Sequence, residues 1–187
     1  MLEFPRLFAG VDASSTVSGW GLVDVGGDLL IFGTVSQTGK FGPLKLARLS
    51  VAVRQALVEA YCSRIGRDPA ETKPLKGLRI VVEMPSFFKK GGGKRARVAV
   101  DKGDVAKCAM AAGAVGAELV KAGAAVKFMK PRAWKGQWGK KAVLAWTRRR
   151  WPNAQFTDRK IQGPWGQDAM EGAGLAHVCA TGRRLCA

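Results

Sequence analysis

Three apolar runs of strand length come before any helical period, and that order narrows the fold more than any other feature of the chain. They span Leu7 to Val11, Gly19 to Val25 and Leu29 to Val35, the last two joined by Gly26-Gly27-Asp28. Short runs separated by such a turn predict an antiparallel meander. From Pro43 the period changes, and Leu46, Leu49, Val53, Leu57 and Ala60 share one face of a helix with proline in its first turn. A polar loop from Arg64 to Lys76 leads to a β-branched run from Leu78 to Val82. Asp104 to Lys121, rich in Ala and Gly, predicts a second helix, and Val126 to Met129 a fifth strand. A basic helix from Lys140 to Arg150 and a closing helix from Gln167 to Thr181 complete the series. A meander followed by alternating helices and strands predicts an α/β fold, a mixed five-stranded sheet flanked by helices. With 187 residues there is length for one well-buried unit, so residues 1–187 are expected to form a single domain.

Two of the predicted strands stop at an acid: Asp12 closes the first and Glu83 the fourth. Asp168 and Glu171 stand three apart at the start of the last predicted helix, on one face. If the first and fourth strands are neighbours, all four carboxylates converge. Packed like charges raise one another's pKa, and hard divalent cations remove that cost, so the cluster predicts a site for Mg²⁺ or Mn²⁺. Two such ions would activate a water and stabilise the leaving oxygen of a phosphodiester. Each acid also has a purely structural reading. Asp12 fits as a turn-opening cap with Ser14, Ser15 and Thr16, and Asp168 as a helix-start acid favoured by the dipole. Asp24, Asp28, Asp101, Asp104 and Asp158 read as turn, cap or surface acids.

The charge balance selects the partner. Lys and Arg total 31 against 14 Asp and Glu, a net charge of +17, which favours a polyanion and above all nucleic acid. Five basic side chains cluster in Lys89-Lys90-Gly91-Gly92-Gly93-Lys94-Arg95-Ala96-Arg97, with Lys102 beyond it; the stretch reads as a spacer or as an arm reaching the DNA backbone. Phe87 and Phe88 stand just before it and read either as core packing under the loop or, since adjacent side chains of an extended segment point to different sides, as at least one ring exposed for base stacking. Cys62, Cys108, Cys179 and Cys186 form no CxxC pair and His177 is the sole histidine, so a zinc site is not expected and the thiols read as reduced and mostly buried. The first residues lack the basic start and apolar core of a signal peptide, and no run of about 18 apolar residues occurs, predicting a cytoplasmic protein without a membrane partner.

Taken together, four blocks resemble the RuvC-like Holliday junction resolvases of the ribonuclease H-like superfamily. Gly10-Val11-Asp12-Ala13-Ser14-Ser15 followed by Ser18-Gly19-Trp20-Gly21 resembles the family's first-strand motif, and Ile80-Val81-Val82-Glu83 its second acid strand. Phe128-Met129-Lys130-Pro131-Arg132-Ala133-Trp134-Lys135, continuing through Gly136, Gly139, Lys140 and Val143, is similar to its P-x-x-V-K…G-x-x-K stretch. Asp168-Ala169-Met170-Glu171-Gly172-Ala173 looks like its terminal D-A-x-D-A helix, with Glu171 where the family more often has Asp.

The resemblance implies a homodimeric, metal-dependent endonuclease that binds four-way DNA junctions and nicks two strands symmetrically. Carried over, Asp12, Glu83, Asp168 and Glu171 would be ligands to two ions of Mg²⁺ or Mn²⁺, and Lys135 and Lys140 would hold phosphate near the scissile bond. An aromatic beyond the second acid, here Phe87 or Phe88, would enter the junction; the loop that follows is longer and more basic than is typical of the family, and its charge alone points Lys89, Lys90, Lys94, Arg95 and Arg97 to the DNA backbone. The small-residue ridge Ala109, Ala112, Gly113 and Gly116 has two readings, core packing against its own sheet or contact with a second subunit.

Three rivals differ in class. A non-catalytic nucleic-acid binder of the same fold would gain nothing from carboxylates facing phosphate. A sugar-kinase or actin-like ATPase also carries D-x-S-S-T in its first strand, but encloses ATP between two such domains. A ribonuclease H-like nuclease acting on forks, flaps or RNA–DNA hybrids keeps the chemistry and changes only the substrate.

Overall fold

A computed structural model describes residues 6–85, 103–154 and 164–186. The meander forms in the predicted order: β1 (Phe8–Asp12) pairs antiparallel with β2 (Val17–Val23), and β2 with β3 (Leu29–Ser36), but β2 lies two residues earlier than its apolar run, because the turn already begins at Asp24 and leaves Val25 exposed. The β2–β3 turn closes through Gly27, whose φ of 79° favours glycine, and Asp24 accepts the Asp28 backbone N–H on its carboxylate at 2.9 Å.

Helix α1 (Pro43–Ile65) buries the face read from its period: Leu49, Val53 and Leu57 are each 0 % exposed. Full burial of such a side chain stabilises by roughly 1.5–3 kcal/mol. The helix runs two residues into the expected loop, because the chain first leaves helical geometry at Gly66, which caps it in the left-handed conformation at φ 65°.

The crossover places β4 (Arg79–Glu83) parallel to β1, with Val11 opposite Val82, and β5 (Ala125–Met129) parallel to β4, with Glu83 opposite Met129. The sheet order is β3-β2-β1-β4-β5. The three parallel strands therefore end on one rim, where Asp12 and Glu83 stand.

Alternation along the central strands sends side chains to two separate cores. Ala9, Val11, Ile80 and Val82 pack with α1 and with α2 (Asp104–Lys121). Phe8 and Val81 point to the opposite face, covered by α5 (Pro164–Thr181), beside which lie the short α3 (Pro131–Lys135) and α4 (Lys140–Arg150). Helix α3 is an element that periodicity did not predict, since five residues are too few to show one. Helix α5 begins three residues earlier than expected, at Pro164, because proline suits a first helical turn. Asp168 and Glu171 accordingly lie in its second turn and beyond rather than at its start.

The approach of α5 to the sheet depends on glycine. A Cβ on Gly10 would meet the backbone of Gly172 and Ala176, one on Gly19 the backbone of Asp168, and one on Gly172 the backbone of Trp20 at 2.6 Å. No side chain fits between these segments.

The small-residue ridge of α2 divides. Ala112 is 0 % exposed in the protein's own core, and a Cβ on Gly116 would strike the Phe128 ring, whereas one on Gly113 meets nothing within 4 Å among the described residues. Met110, Val120 and Phe128 are exposed on and beside the same helix. The thiols are free, but only Cys62 is buried; Cys108 and Cys179 are half-buried and Cys186 is exposed, so the expectation of mostly buried cysteines is corrected. The reason is positional, since Cys186 lies on the segment after α5 rather than on a core element. Among the described residues, no helix is long and apolar enough to cross a membrane.

Candidate metal centre

Two strand ends and one helix build the acidic cluster. Parallel pairing of β1 and β4 sets Asp12 and Glu83 side by side on the rim, and the glycine contacts of Gly10 and Gly19 bring α5 down until Asp168 and Glu171 reach them. Oxygen atoms of Asp12, Asp168 and Glu171 lie within 4.8 Å of one another. The turn after β1 is made by Ser14, whose Oγ donates to the Val17 carbonyl and accepts the Val17 N–H, so the capping role considered for Asp12 falls to Ser14.

Glu83 is held apart from that triple by its own partners. Trp134 Nε1 donates to Glu83 Oε2 at 2.7 Å, and the Lys135 ammonium approaches the same oxygen at 3.5 Å. The ammonium also donates to Glu171 Oε1 at 2.8 Å and sits 4.7 Å from the centre of the Trp134 ring. Glu171 is 1 % exposed, and the Lys135 side chain 12 %. Screening by water is therefore weak, and these charges act on one another strongly.

The titration of the cluster follows. Burial pushes the Asp12 carboxyl well above its ordinary range, with the charges of Glu83 and Glu171 and a hydrogen bond to Glu171 adding to the rise. Burial also raises Glu83; the Lys135 charge opposes this and Glu171 reinforces it. For Lys135, burial favours the neutral amine, but Glu83 and Glu171 outweigh it and hold the ammonium above its ordinary value. Without a further cation, the cluster retains protons that free carboxylates would shed.

Hard oxygen donors at this spacing suit a divalent cation such as Mg²⁺ or Mn²⁺, and the raised acids show the electrostatic deficit that such a cation would fill. The residues present fit the group.

Of the lysines implied by resemblance, Lys135 turns inward onto the acids. Lys140 is the first residue of α4, and its side chain lies outside the described residues, as do Phe87, Phe88, Lys89, Lys90, Lys94, Arg95 and Arg97. Sequence reasoning gave no role to Trp134 or Cys108. The indole adjoining Lys135 carried a signal, since a buried Trp N–H needs an acceptor. Cys108, beside the Ser15 backbone and near Asp12, is raised chiefly by burial, and nothing in its local pattern places it there.

The strand order, the parallel rim carrying the acids and the helices on both faces together define the ribonuclease H-like fold. Within that class the chain has the fold of RuvC. It superposes on T. thermophilus RuvC, solved in complex with a Holliday junction substrate, with a TM-score of 0.58 and 20 % identity, over 97 % of this chain and 96 % of that one. The Ppx/GppA family member of Aquifex aeolicus aligns more loosely, with a TM-score of 0.38 and 10 % identity over 76 % of this chain and 39 % of that one. No protein-family model matches the sequence, and no curated protein matches it either.

Proposed function

We propose that the protein is a divalent-metal-dependent endonuclease that resolves four-way DNA junctions by paired symmetric nicks. The observation that carries this reading is the triple of Asp12, Asp168 and Glu171 converging on the rim of a RuvC-like sheet. The relative with that fold was solved on a Holliday junction, and a net charge of +17 supplies the field for a polyanion.

Asp12, Asp168 and Glu171, with Glu83 beside them, would hold the metal. When bound, divalent ions supply the Lewis acidity that makes water a nucleophile at neutral pH and stabilises the leaving oxygen. The chain's own contribution is positional. Trp134 and Lys135 fix Glu83, while β1, β4 and α5 keep the acids from drifting apart under their mutual repulsion. Lys140 would steady the phosphate, and Lys89, Lys90, Lys94, Arg95 and Arg97 would grip the DNA backbone, with Phe87 or Phe88 stacking on an unpaired base. Residues 1–187 act as one domain, and two copies pair so that two sites face a two-fold symmetric junction.

The test is cleavage and binding by Asp12→Asn. Labelled four-way junction, fork, linear duplex and RNA–DNA hybrid are incubated with Mg²⁺, Mn²⁺ or EDTA. Wild type should nick the junction in either metal and not in EDTA. The variant should lose cleavage by at least a hundredfold while binding the junction as well or better, since a charge facing phosphate is gone. Full Mg²⁺-dependent cutting by the variant would rule out the site. Preference for hybrid or fork would move the substrate and keep the chemistry.

A further inference from the structure

We infer that Lys135 is a built-in second cation that limits the free protein to one divalent ion per chain, an inference resting on the metal-nuclease reading above. The four acids are not equivalent in space. Asp12, Asp168 and Glu171 present oxygens within 4.8 Å of one another, a cage of the size one ion needs. Glu83 is bound instead by protein groups, its Oε2 taking both the Trp134 N–H at 2.7 Å and the Lys135 ammonium at 3.5 Å. The same ammonium reaches Glu171 Oε1 at 2.8 Å. It thus bridges the one acid outside the cage and one acid inside it, so that a protein cation already sits between the two carboxylates that a second divalent ion would need.

This lysine is not a surface ion pair that exchanges freely with water. Its side chain is 12 % exposed, that of Glu83 14 % and that of Glu171 1 %, and the Trp134 ring lies under the ammonium at 4.7 Å. Charge leads to the same result. Once a bound divalent ion has displaced the protons the cluster holds, four carboxylates against one ammonium and that ion leave a single negative charge; a second divalent ion would reverse the sign in a poorly hydrated space, a few ångströms from an ammonium it repels. Removing the lysine charge makes two divalent ions the neutral filling.

The experiment counts ions rather than turnover. Full-length protein is titrated with Mn²⁺ alone, free Mn²⁺ is followed by its electron paramagnetic resonance signal, and folding of every variant is checked by circular dichroism. Wild type is expected to bind one Mn²⁺ per chain at the cluster. Lys135→Met, similar in length and uncharged, should bind two, with the broadened signal of a coupled Mn²⁺ pair. Lys135→Arg, which keeps the charge, should stay at one even if the Met variant folds poorly. Adding Glu83→Gln to Lys135→Met should return the count to one and lose the coupled signal. A wild-type count of two, a Lys135→Met count of one, or a Lys135→Arg count of two overturns the inference and leaves the metal reading standing. Absence of bound Mn²⁺ from all of them overturns the metal reading and this inference together.

Discussion

At the scale of single residues, Asp12 shows how the site acts on stability as well as on chemistry. Its carboxyl is raised by burial and then by Glu83 and Glu171. A carboxyl raised on folding contributes stability that is fully present below its ordinary value of 3.8 and is lost as pH rises through the folded value. In EDTA at pH 7, Asp12→Asn should therefore melt above wild type, by a few degrees, since about 1 kcal/mol corresponds to roughly 2–4 °C for a domain of this size. The gap should close as pH is lowered toward 4. Mg²⁺ should raise the wild type and leave the variant nearly unmoved. Thermal melts over pH with and without Mg²⁺ check this, and a variant that melts lower throughout would show that Asp12 stabilises the metal-free fold. Trp134 acts by the same logic in the opposite sense. Trp134→Phe keeps most of the ring but removes the donor to Glu83, and a hydrogen bond to a charged group contributes about 1.5–3 kcal/mol. A urea midpoint equal to wild type in EDTA would show the bond to be idle.

Among the elements, α5 matters most, because it covers one face of the sheet and carries two of the acids. Its height is set by backbone contact, so the glycines beneath it and the glycine on α2 should respond oppositely to alanine. Gly19→Ala drives a Cβ into the Asp168 backbone, which cannot yield as a side chain does, and should cost about 3 kcal/mol or more. Gly113→Ala meets no atom within 4 Å among the described residues and should gain about 1 kcal/mol of helix propensity. Urea unfolding of both variants decides, and a neutral Gly19→Ala would mean that α5 sits higher than described. The same helix carries His177, whose Nδ1 lies 3.1 Å from the Gly27 carbonyl and whose ring meets Trp146 edge-on at 4.9 Å. Burial first, with Arg150 adding, lowers its pKa below 6.5, against the pull of Gly27 and Asp28. A histidine lowered on folding contributes stability above its ordinary pKa, lost as pH falls through the folded value. As the sole imidazole, it should give one NMR titration with a midpoint below 6.5; a midpoint above that would mean that the Gly27 hydrogen bond and the Asp28 charge outweigh burial.

For the whole molecule, charge and symmetry make the prediction. With a net charge of +17, junction affinity in Ca²⁺ should fall steeply with salt, and neutralising Lys94, Arg95 and Arg97 together should flatten the log–log slope by about 0.9 for each lost contact on duplex arms. An unchanged slope would remove that segment from the interface. The proposed pairing of two copies is best probed at Gly113, which has no neighbour within 4 Å of an added Cβ among the described residues, with exposed Met110 on the same helix. Gly113→Trp should yield folded monomers by light scattering. Ala112→Trp would break the core instead, since Ala112 is 0 % exposed. A Gly113→Trp dimer with paired nicking intact would move the subunit contact elsewhere.

The sequence by itself determined the order of the five strands and the longer helices, the face that α1 buries, and that four acids stand at strand and helix positions able to meet. These properties are local. A period of two or 3.6 and an acid closing an apolar run follow from neighbouring residues alone. Short α3 and the first turn of α5 escaped for the same reason, one being shorter than a period and the other masked by its proline. Only the tertiary structure decided how the acids divide. Trp134 meets Glu83 across 51 positions of sequence, and Lys135 meets Glu171 across 36. The inward turn of Lys135, the split of the α2 ridge and the exposure of Cys186 depend on how distant backbones approach. That approach is fixed by glycine against backbone and by the pairing of β1 with β4, and no local pattern records the distance between them.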